Sequence, residues 1–566
     1  MKGFYALVIL FLHGLVMAPL EGNLVAFEPI ESSIEFGNGP ILRDASDPPK
    51  VYKELSQAYE RGADRVCVIN VGDIKPLEIP LLFALDLAWN TSRFDFDTIP
   101  LYLKALATRY FGDKYSDQIA SALMEYSHLA GLRKFEMLEP TTYSMLNFRE
   151  AEQVLDRWRN LATKAREIQQ SLPSERHNAC YHLLTYPATA GFNYYQTILG
   201  QGKNRQYSFE RRNSANMYDD LEDGKWEGSM STPKFDMGIA DWRPSSRDVV
   251  ANLSYVQLRQ DFDYAFGSLG IYVELSLSAY RQGRICGSIN PSLLTEEGFS
   301  PVLPLMDPYG PKSRLIELFH HLPGIRHTLE RTPEEHLEVL IDWPAVPTNL
   351  TETIQLHVEW EPSPPYFDLI HIPIRNHRVP TNFTGFPESG SFVSMEGPDF
   401  QRSSSATVSF KHIPYLGSRA RSGSIALRPY MQARESEEGA RSAWVEYDFY
   451  LFNSTKSFNV TVYVNGALDT DPNLPMKFSL SIDGQEANFT RLLAEPEEAG
   501  DTASGWTEAV ADHVWTRDID IAALEQGPHI LKWAVNSPEV YLEKIILALD
   551  GQLDSYLGPP ESALVG

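Results

Sequence analysis

The sequence predicts a multidomain α+β chain: a helix–strand–helix unit, then a helical bundle, then two antiparallel β-sandwich domains. Three observations carry this reading. A continuous apolar run, Arg65–Asn70, stands between two helical patterns; a 3.6-residue period runs from about 101 to 221; and short alternating runs begin at about 264. With 566 residues and 43% apolar content, the chain can bury about three or four cores.

The elements follow in order. Lys2 precedes an apolar stretch from Phe4 to Val16 and then Met17, Ala18 and Pro19, which reads as a secretory leader over residues 1–22, cleaved between Ala18 and Asn23. Leu24–Phe27 and Ile41–Leu42 look like short strands, and a helix is expected from about Val51 to Arg61. Arg65–Asn70 has the character of a buried parallel strand. The turn Val71-Gly72-Asp73 follows, with a helix opening at Lys75-Pro76 and running to about Trp89; this unit occupies residues 23–97. In the bundle, 98–225, Phe148, Ala151, Leu155, Trp158, Ala162, Ala165, Ile168 and Leu172 share one helical face. Pro173 stops what is expected to be the longest helix, and Gly62, Gly112 and Gly131 mark helix ends. The first sandwich spans 264–388, with strands at Ile271–Leu277, Leu337–Trp343, Thr353–Trp360 and Phe367–Ile374. The second spans 389–560, with strands at Trp444–Phe452, Phe458–Val464, Met476–Ile482, His513–Ile519, His529–Val535 and Leu542–Leu549. The acidic stretch Glu495–Asp501 reads as a solvated loop within it.

Composition narrows the partners. Lys and Arg number 49 against 75 Asp and Glu, a net charge of −26 that opposes binding to nucleic acid or anionic lipid. No run after the leader is long enough to cross a membrane. Seven N-x-Ser/Thr acceptors, at Asn90, Asn252, Asn349, Asn382, Asn453, Asn459 and Asn488, agree with an extracellular, glycosylated protein. Cys67, Cys180 and Cys286 are widely separated and suit buried thiols as well as a bridge. With no C-x-x-C or H-E-x-x-H pair, no metal or other cofactor is expected.

The segment with most chemical content is Asn70-Val-Gly-Asp-Ile-Lys-Pro-Leu-Glu78, which sets an amide, two carboxylates and a cation at the carboxyl end of a buried strand. Ligands bind at that edge of α/β units, and Gly72 permits close backbone approach. A plain alternative stands beside it. If Lys75 is the cap and Pro76 the first helical residue, Glu78 is the third and simply complements the helix dipole, while Asp73 ties down turn amides. His182 and His513 rank lower as lone histidines. The aromatic content of 11% could supply sugar-stacking rings, although most rings must be core.

The run from Tyr59 to Pro80, which contains this segment, resembles the corresponding stretch of glycoside hydrolase family 115, the xylan α-1,2-glucuronidases. So do Leu85-Asp-Leu-Ala-Trp-Asn90, Arg212-Asn-Ser-Ala-Asn216, Gly224-Lys-Trp226, Phe392-Val-Ser-Met-Glu396, Gly527–Trp533 and Glu543-Lys-Ile-Ile546. The resemblance covers about residues 51 to 550 in order. It implies a secreted enzyme that removes glucuronic acid or its 4-O-methyl ether from xylan side chains by inversion. Carried onto this chain, it makes Asn70 and Glu78 the catalytic positions and Asp73 and Lys75 the substrate-binding ones, and makes 389–560 a sandwich of the family's C-terminal type.

The family also has a TIM barrel, which takes about 250 residues and eight βα units. Here the chain turns helical straight after Trp89, so residues 23–97 read as an N-terminal strand segment joined to a remnant of a (β/α) barrel. Inversion uses two carboxyl groups on opposite faces of the bond, and this chain keeps at most one side of that pair. Little or no catalysis is expected. The chain is thus either the shortened product of a glucuronidase gene or a protein that has lost its barrel. The rival function is a non-catalytic, secreted glycan-binding or interaction module with exposed aromatics on the β domains. A homodimer, or pairing with a full-length relative, is a third reading. The expected partner is glucuronoxylan or a related plant polysaccharide.

Overall fold

The computed structural model describes residues 5–10, 24–26, 47–64, 66–71, 77–145, 147–209, 269–273, 287–289, 303–311, 313–320, 334–360, 366–404, 408–435, 443–466, 475–485, 487–493, 503–550 and 555–566. Strands β1 (Tyr5–Leu10), β2 (Leu24–Ala26) and β3 (Val66–Val71) form a parallel sheet in the order β1-β3-β2. Strand β1 lies inside the stretch read as a leader. Helix α1 (Pro48–Glu60) opens on two prolines, whose fixed φ suits a first turn where N–H groups need no partner, and Gly62 ends it at φ 98°. Helix α2 (Glu78–Trp89) starts later than the sequence predicts: Leu77 is its cap and Glu78 its first residue, not its third. Asp73 and Lys75 lie outside the described residues.

The bundle comprises α3 (Ile99–Phe111), α4 (Asp113–Gly131), α5 (Glu150–Ser171), the short α6 (His177–Cys180) and α7 (Tyr186–Phe209). Gly112 joins α3 to α4 at φ 87°, a conformation that favours glycine. The expected face of α5 is confirmed: Ala151, Trp158, Ala162, Ala165 and Ile168 are buried and Leu155 is half-buried, with Val154 and Leu161 widening the stripe. Phe148 departs from it, because it sits before α5 at φ 57°. The longest helix is α7, with 24 residues against 22 in α5. Gly191 explains how closely the two pack, since a Cβ there would run into the Trp158 indole. Between α6 and α7, Tyr181–Thr185 forms a π-helical turn. Residues 210–268, including the predicted end of the bundle, lie outside the described residues.

Strands β4 (Leu269–Val273), β5 (Gly287–Ile289), β6 (Ser313–His320) and β7 (Glu334–Leu340) form an antiparallel sheet ordered β5-β4-β6-β7. Strands β8 (Leu350–Trp360) and β9 (Tyr366–Asn376) form an antiparallel hairpin, with Leu350 opposite Asn376. A small core of Leu303, Met306, Ile370, Ile372 and Ile374, with Val339 against it, joins β9 to β7. The expected first sandwich is therefore a four-stranded sheet and a hairpin among the described residues. Of these strands, β5 and β6 are ones the alternation did not pick out.

The C-terminal sandwich contains β10 (Phe386–Pro387), β11 (Phe392–Glu396), β12 (Arg402–Ser403), β13 (Ser409–Ile413), β14 (Ser424–Arg428), β15 (Trp444–Leu451), β16 (Phe458–Asn465), β17 (Lys477–Ile482), β18 (Thr490–Arg491), β19 (Val514–Ile521), β20 (Gly527–Val535) and β21 (Leu542–Ala548). Short helices α8 (Tyr430–Glu435) and α9 (Trp506–Asp512) join some of them. One six-stranded sheet runs β10-β15-β20-β17-β18 with β12 also on β15; the other runs β13-β14-β21-β16-β19 with β11 also on β21. The alternation in β15 and β17 is the pattern of a sheet with one core face, and Trp533, Tyr447, Phe449 and Phe478 fill the space between the sheets at 0% exposure. All six predicted strands are present within two residues of their expected bounds. Strand β21 breaks the alternation, because every residue in it is buried.

The cover over β21 explains that. Its Lys544 donates to the carbonyls of Leu557 (3.2 Å) and Pro559 (2.9 Å) in the C-terminal tail, and its Glu543 accepts from Ser418 N, Arg419 N and Asn465 Nδ2. Beside it, helix α1 docks through Lys53, which is 1% exposed and donates to Asn465 Oδ1 (3.0 Å) and to the Gly466 carbonyl. Glu150 of α5 accepts from Ser144 N, Ser555 Oγ, Tyr556 N and Leu557 N. Arg133 pairs with Asp512, and His513 Nδ1 faces the Gly131 carbonyl at 3.1 Å. His513, a lone histidine by sequence, is thus a half-buried interface group. The hairpin is tied to the same sandwich by Arg375, which donates to Glu388 at 3.0 Å, and by Ser389, which donates to Asp307 at 3.0 Å.

Candidate functional site

Strand β3 ends at Val71 and α2 begins at Glu78, so the candidate segment connects the carboxyl end of a parallel strand to a helix N-terminus. Asn70 pairs with Ile9 in the β1–β3 register, one residue from the end of β3. Glu78 stands at the head of α2, where a carboxylate also complements the helix dipole. Its Oε1 lies 2.6 Å from His182 Nε2, across 104 residues of sequence. Both side chains remain reachable, at 29% and 38% exposure.

The π-helical turn supplies His182. The wider turn gives the chain one more residue than an α-helix would, and such turns recur at functional sites. No spacing in the sequence links His182 to Glu78; the structure alone brings the imidazole to that carboxylate. The only local signal is its place among Tyr181, Leu183 and Leu184, three residues with little reason to surround a solvated histidine.

The residues next to the pair extend the site. Ile79 and Leu183 line a narrow apolar crevice together with Leu106, Tyr110 and Phe111. Tyr110 is 41% exposed and Tyr181, beside His182, is 51% exposed. Trp89 is the third strongly exposed aromatic among the described residues, and none of the three belongs to a sandwich. A carboxylate-held imidazole can accept or release a proton at its other nitrogen, and flanking tyrosines offer ring faces to a ligand.

A second acidic group lies in the C-terminal sandwich, where oxygens of Glu396, Asp399 and Glu561 fall within 4.8 Å of one another. Desolvation first, and the Asp399 charge second, push the Glu561 carboxyl up to about 8. Glu396 already accepts from Arg421 N, Ser422 N and Ser422 Oγ, which makes it a loop anchor. Cys180 is a buried free thiol. Six of the seven sequon asparagines are described, at positions 90, 349, 382, 453, 459 and 488, and all six are exposed; Asn252 lies outside the described residues.

Comparison with known proteins adds the lineage. Residues 42–137 match the glycosyl hydrolase family 115 model, and residues 385–561 match the glycosyl hydrolase family 115 C-terminal domain. No curated protein matches the sequence. Among solved structures, the chain is similar to a family 115 4-O-methyl-α-glucuronidase with specificity for decorated arabinogalactans, at 15% identity and a TM-score of 0.48. That match covers 91% of this chain and 50% of the other, so the chain spans half the length of that structure. It is also similar to the C-terminal CBM6 of a marine laminarinase from Zobellia galactanivorans (14% identity, TM-score 0.18, covering 28% of this chain and 98% of that one). A family 35 carbohydrate binding module from Clostridium thermocellum is similar at 9% identity and TM-score 0.18, covering 28% and 97%. The two matched segments, which pack against each other through α1, α4 and the C-terminal sandwich, belong to glycoside hydrolase family 115.

Proposed function

We propose that this chain is a secreted family 115 protein that takes uronic-acid-decorated plant polysaccharide at Glu78, and that its hydrolysis is slow. The observation that carries the reading is the Glu78–His182 pair at 2.6 Å, set after a parallel strand and beside exposed tyrosines. In this reading Asn70 and Glu78 face the sugar, Lys75 meets its carboxylate and Asp73 binds a hydroxyl of the substrate.

Inverting hydrolysis sets two carboxyl groups about 6.5 to 9.5 Å apart. Glu78 and His182 supply one proton-transfer side of such a pair. Two parallel strands, β2 and β3, among the described residues of 23–97, against eight in a barrel, support the reading of a barrel remnant with an incomplete opposing side. The six exposed sequons support passage through a secretory pathway. Leader removal there would take β1 off β3 and leave β2 as its partner.

The test is release of 4-O-methylglucuronic acid from glucuronoxylan and from uronate-bearing arabinogalactan, with binding isotherms for both. We expect measurable binding, weakened about tenfold or more in Glu78→Ala because a charge-assisted hydrogen bond contributes about 1.5–3 kcal/mol, and only slow release. Turnover in the ordinary enzymatic range, about 1–1000 per second, would overturn slow hydrolysis. Binding unchanged in Glu78→Ala would remove Glu78 from the site.

A further inference from the structure

The two strands of the β8–β9 hairpin are treated very differently by the rest of the molecule. On β9, Ile370, Ile372 and Ile374 are buried at 0%, 4% and 3% exposure. Its outer edge is covered by residues 303–306: Leu303 N donates to the His371 carbonyl, Met306 N to Pro373, and Arg375 N back to Met306, each at 2.9 Å. Strand β8 pairs only with β9 among the described residues. Five consecutive residues, Thr351 to Gln355, are exposed on it, so both of its faces meet solvent there.

An edge with no partner strand among the described residues is a template for strand addition by another chain. Its sequence makes the hazard specific. Thr353-Ile-Gln-Leu-His-Val358 contains no acidic residue, no lysine or arginine, no proline and no glycine, and Ile354 is 40% exposed. Such six-residue windows stack as strands when nothing interrupts them. Glu352 and Glu359 flank the window as charges that resist stacking.

A bulkier device stands at the start of the edge. Asn349 precedes β8 directly, is exposed, and forms the acceptor Asn349-Leu350-Thr351. Its φ of 65° is a left-handed conformation that asparagine tolerates, and the Thr351 hydroxyl, two positions on, lies 3.0 Å from His377 Nε2. Its backbone N–H is bound to the Asn376 carbonyl at 2.8 Å, which anchors the base of the side chain at the end of the hairpin.

We propose that Asn349 carries an N-linked oligosaccharide that guards the open edge of β8 against strand addition by a second copy of this chain. The guard rests on the secretory reading above. In the transfer, the Asn349 amide nitrogen loses a proton and bonds to the anomeric carbon of an oligosaccharide, which leaves its lipid-linked pyrophosphate. The hydrophilic, branched adduct then occupies the space into which a partner strand would register.

The test uses the full chain made through a eukaryotic secretory pathway, with mass mapping of each sequon peptide and light scattering over a concentration series. Two variants remove the acceptor by different routes: Asn349→Gln, and Thr351→Val, which keeps the asparagine and suits a strand. We expect Asn349 to be occupied in the wild type and both variants to self-associate about tenfold or more tightly. Adding Ile354→Lys to Thr351→Val should return the chain to wild-type scattering. Occupied sequons elsewhere with a bare Asn349, or variants that scatter like the wild type, would overturn the guard and leave secretion standing. A chain with no sequon occupied would overturn both.

Discussion

Glu78 and Glu150 are the same residue at the same place on a helix, the first position of α2 and of α5, yet they have opposite surroundings. Glu150 is 3% exposed and accepts from four donors, three of them in the C-terminal tail at Ser555, Tyr556 and Leu557. Glu78 stays reachable and faces a titratable ring. A carboxylate whose lone pairs are taken by fixed backbone donors has no capacity left for a ligand, whereas one that meets a half-exposed imidazole can exchange protons. Burial against four donors therefore separates the Glu150 latch from the reachable candidate at Glu78, where residue type and helix position do not.

The latch carries the largest expected effect. Removing the carboxylate in Glu150→Ala leaves buried N–H groups without an acceptor and should lower unfolding stability by about 3–5 kcal/mol. Denaturant melts read this directly, and a loss below about 1 kcal/mol would place Glu150 among ordinary surface groups.

The same interface has a pH signature. Burial first, and the Arg157 charge second, push the His128 imidazole down to about 3, and burial holds His513 well below the usual histidine range. A group with a depressed folded pKa that releases its proton on folding favours the unfolded chain once that chain can bind the proton. Stability from His128 is therefore present above about 6.5 and is lost as pH falls toward about 3. His128→Gln removes the titration, so the wild-type minus variant stability should fall across that window and stay level above it. A flat difference would show that His128 is solvated. Lys50, Lys53 and Lys134 face His513 and deepen its shift.

The weakest protection is expected in the parallel sheet. Its strands β1 and β2 flank β3 with six and three residues, whereas β21 is central in a six-stranded sheet and covered on both faces. Amides of Val66–Val71 should exchange faster than those of β21. Equal protection would mean that β3 unfolds only with the sandwich.

The smallest expected effect on stability is at the site itself. Glu78→Ala and His182→Ala should each change unfolding stability by no more than about 0.5 kcal/mol, as surface substitutions do, while polysaccharide binding weakens. A large stability loss in either would make the pair a second latch.

The order of elements was legible in the residues themselves. Apolar alternation marked β15, β16, β17, β19, β20 and β21, and the 3.6-residue period marked α5, because burial on one face is a local property of spacing. The strand β3 and the helix α2 were legible for the same reason, and so was Glu78 as a candidate. The start of α2 was not, since Pro76 and Lys75 read as a helix opening whereas the helix begins at Glu78.

What only the tertiary structure decided is which distant groups meet. His182 reaches Glu78 across 104 residues, and Lys53 reaches Asn465 across 412. Strand β21, with Glu543 and Lys544 side by side in it, has no pattern that announces burial on both faces; the C-terminal tail and α1 impose it. Local spacing determines the shape of each element because the backbone repeats over a few residues. The pairing of charges across elements depends on how packed faces register, and that information is not present in any short stretch of the chain.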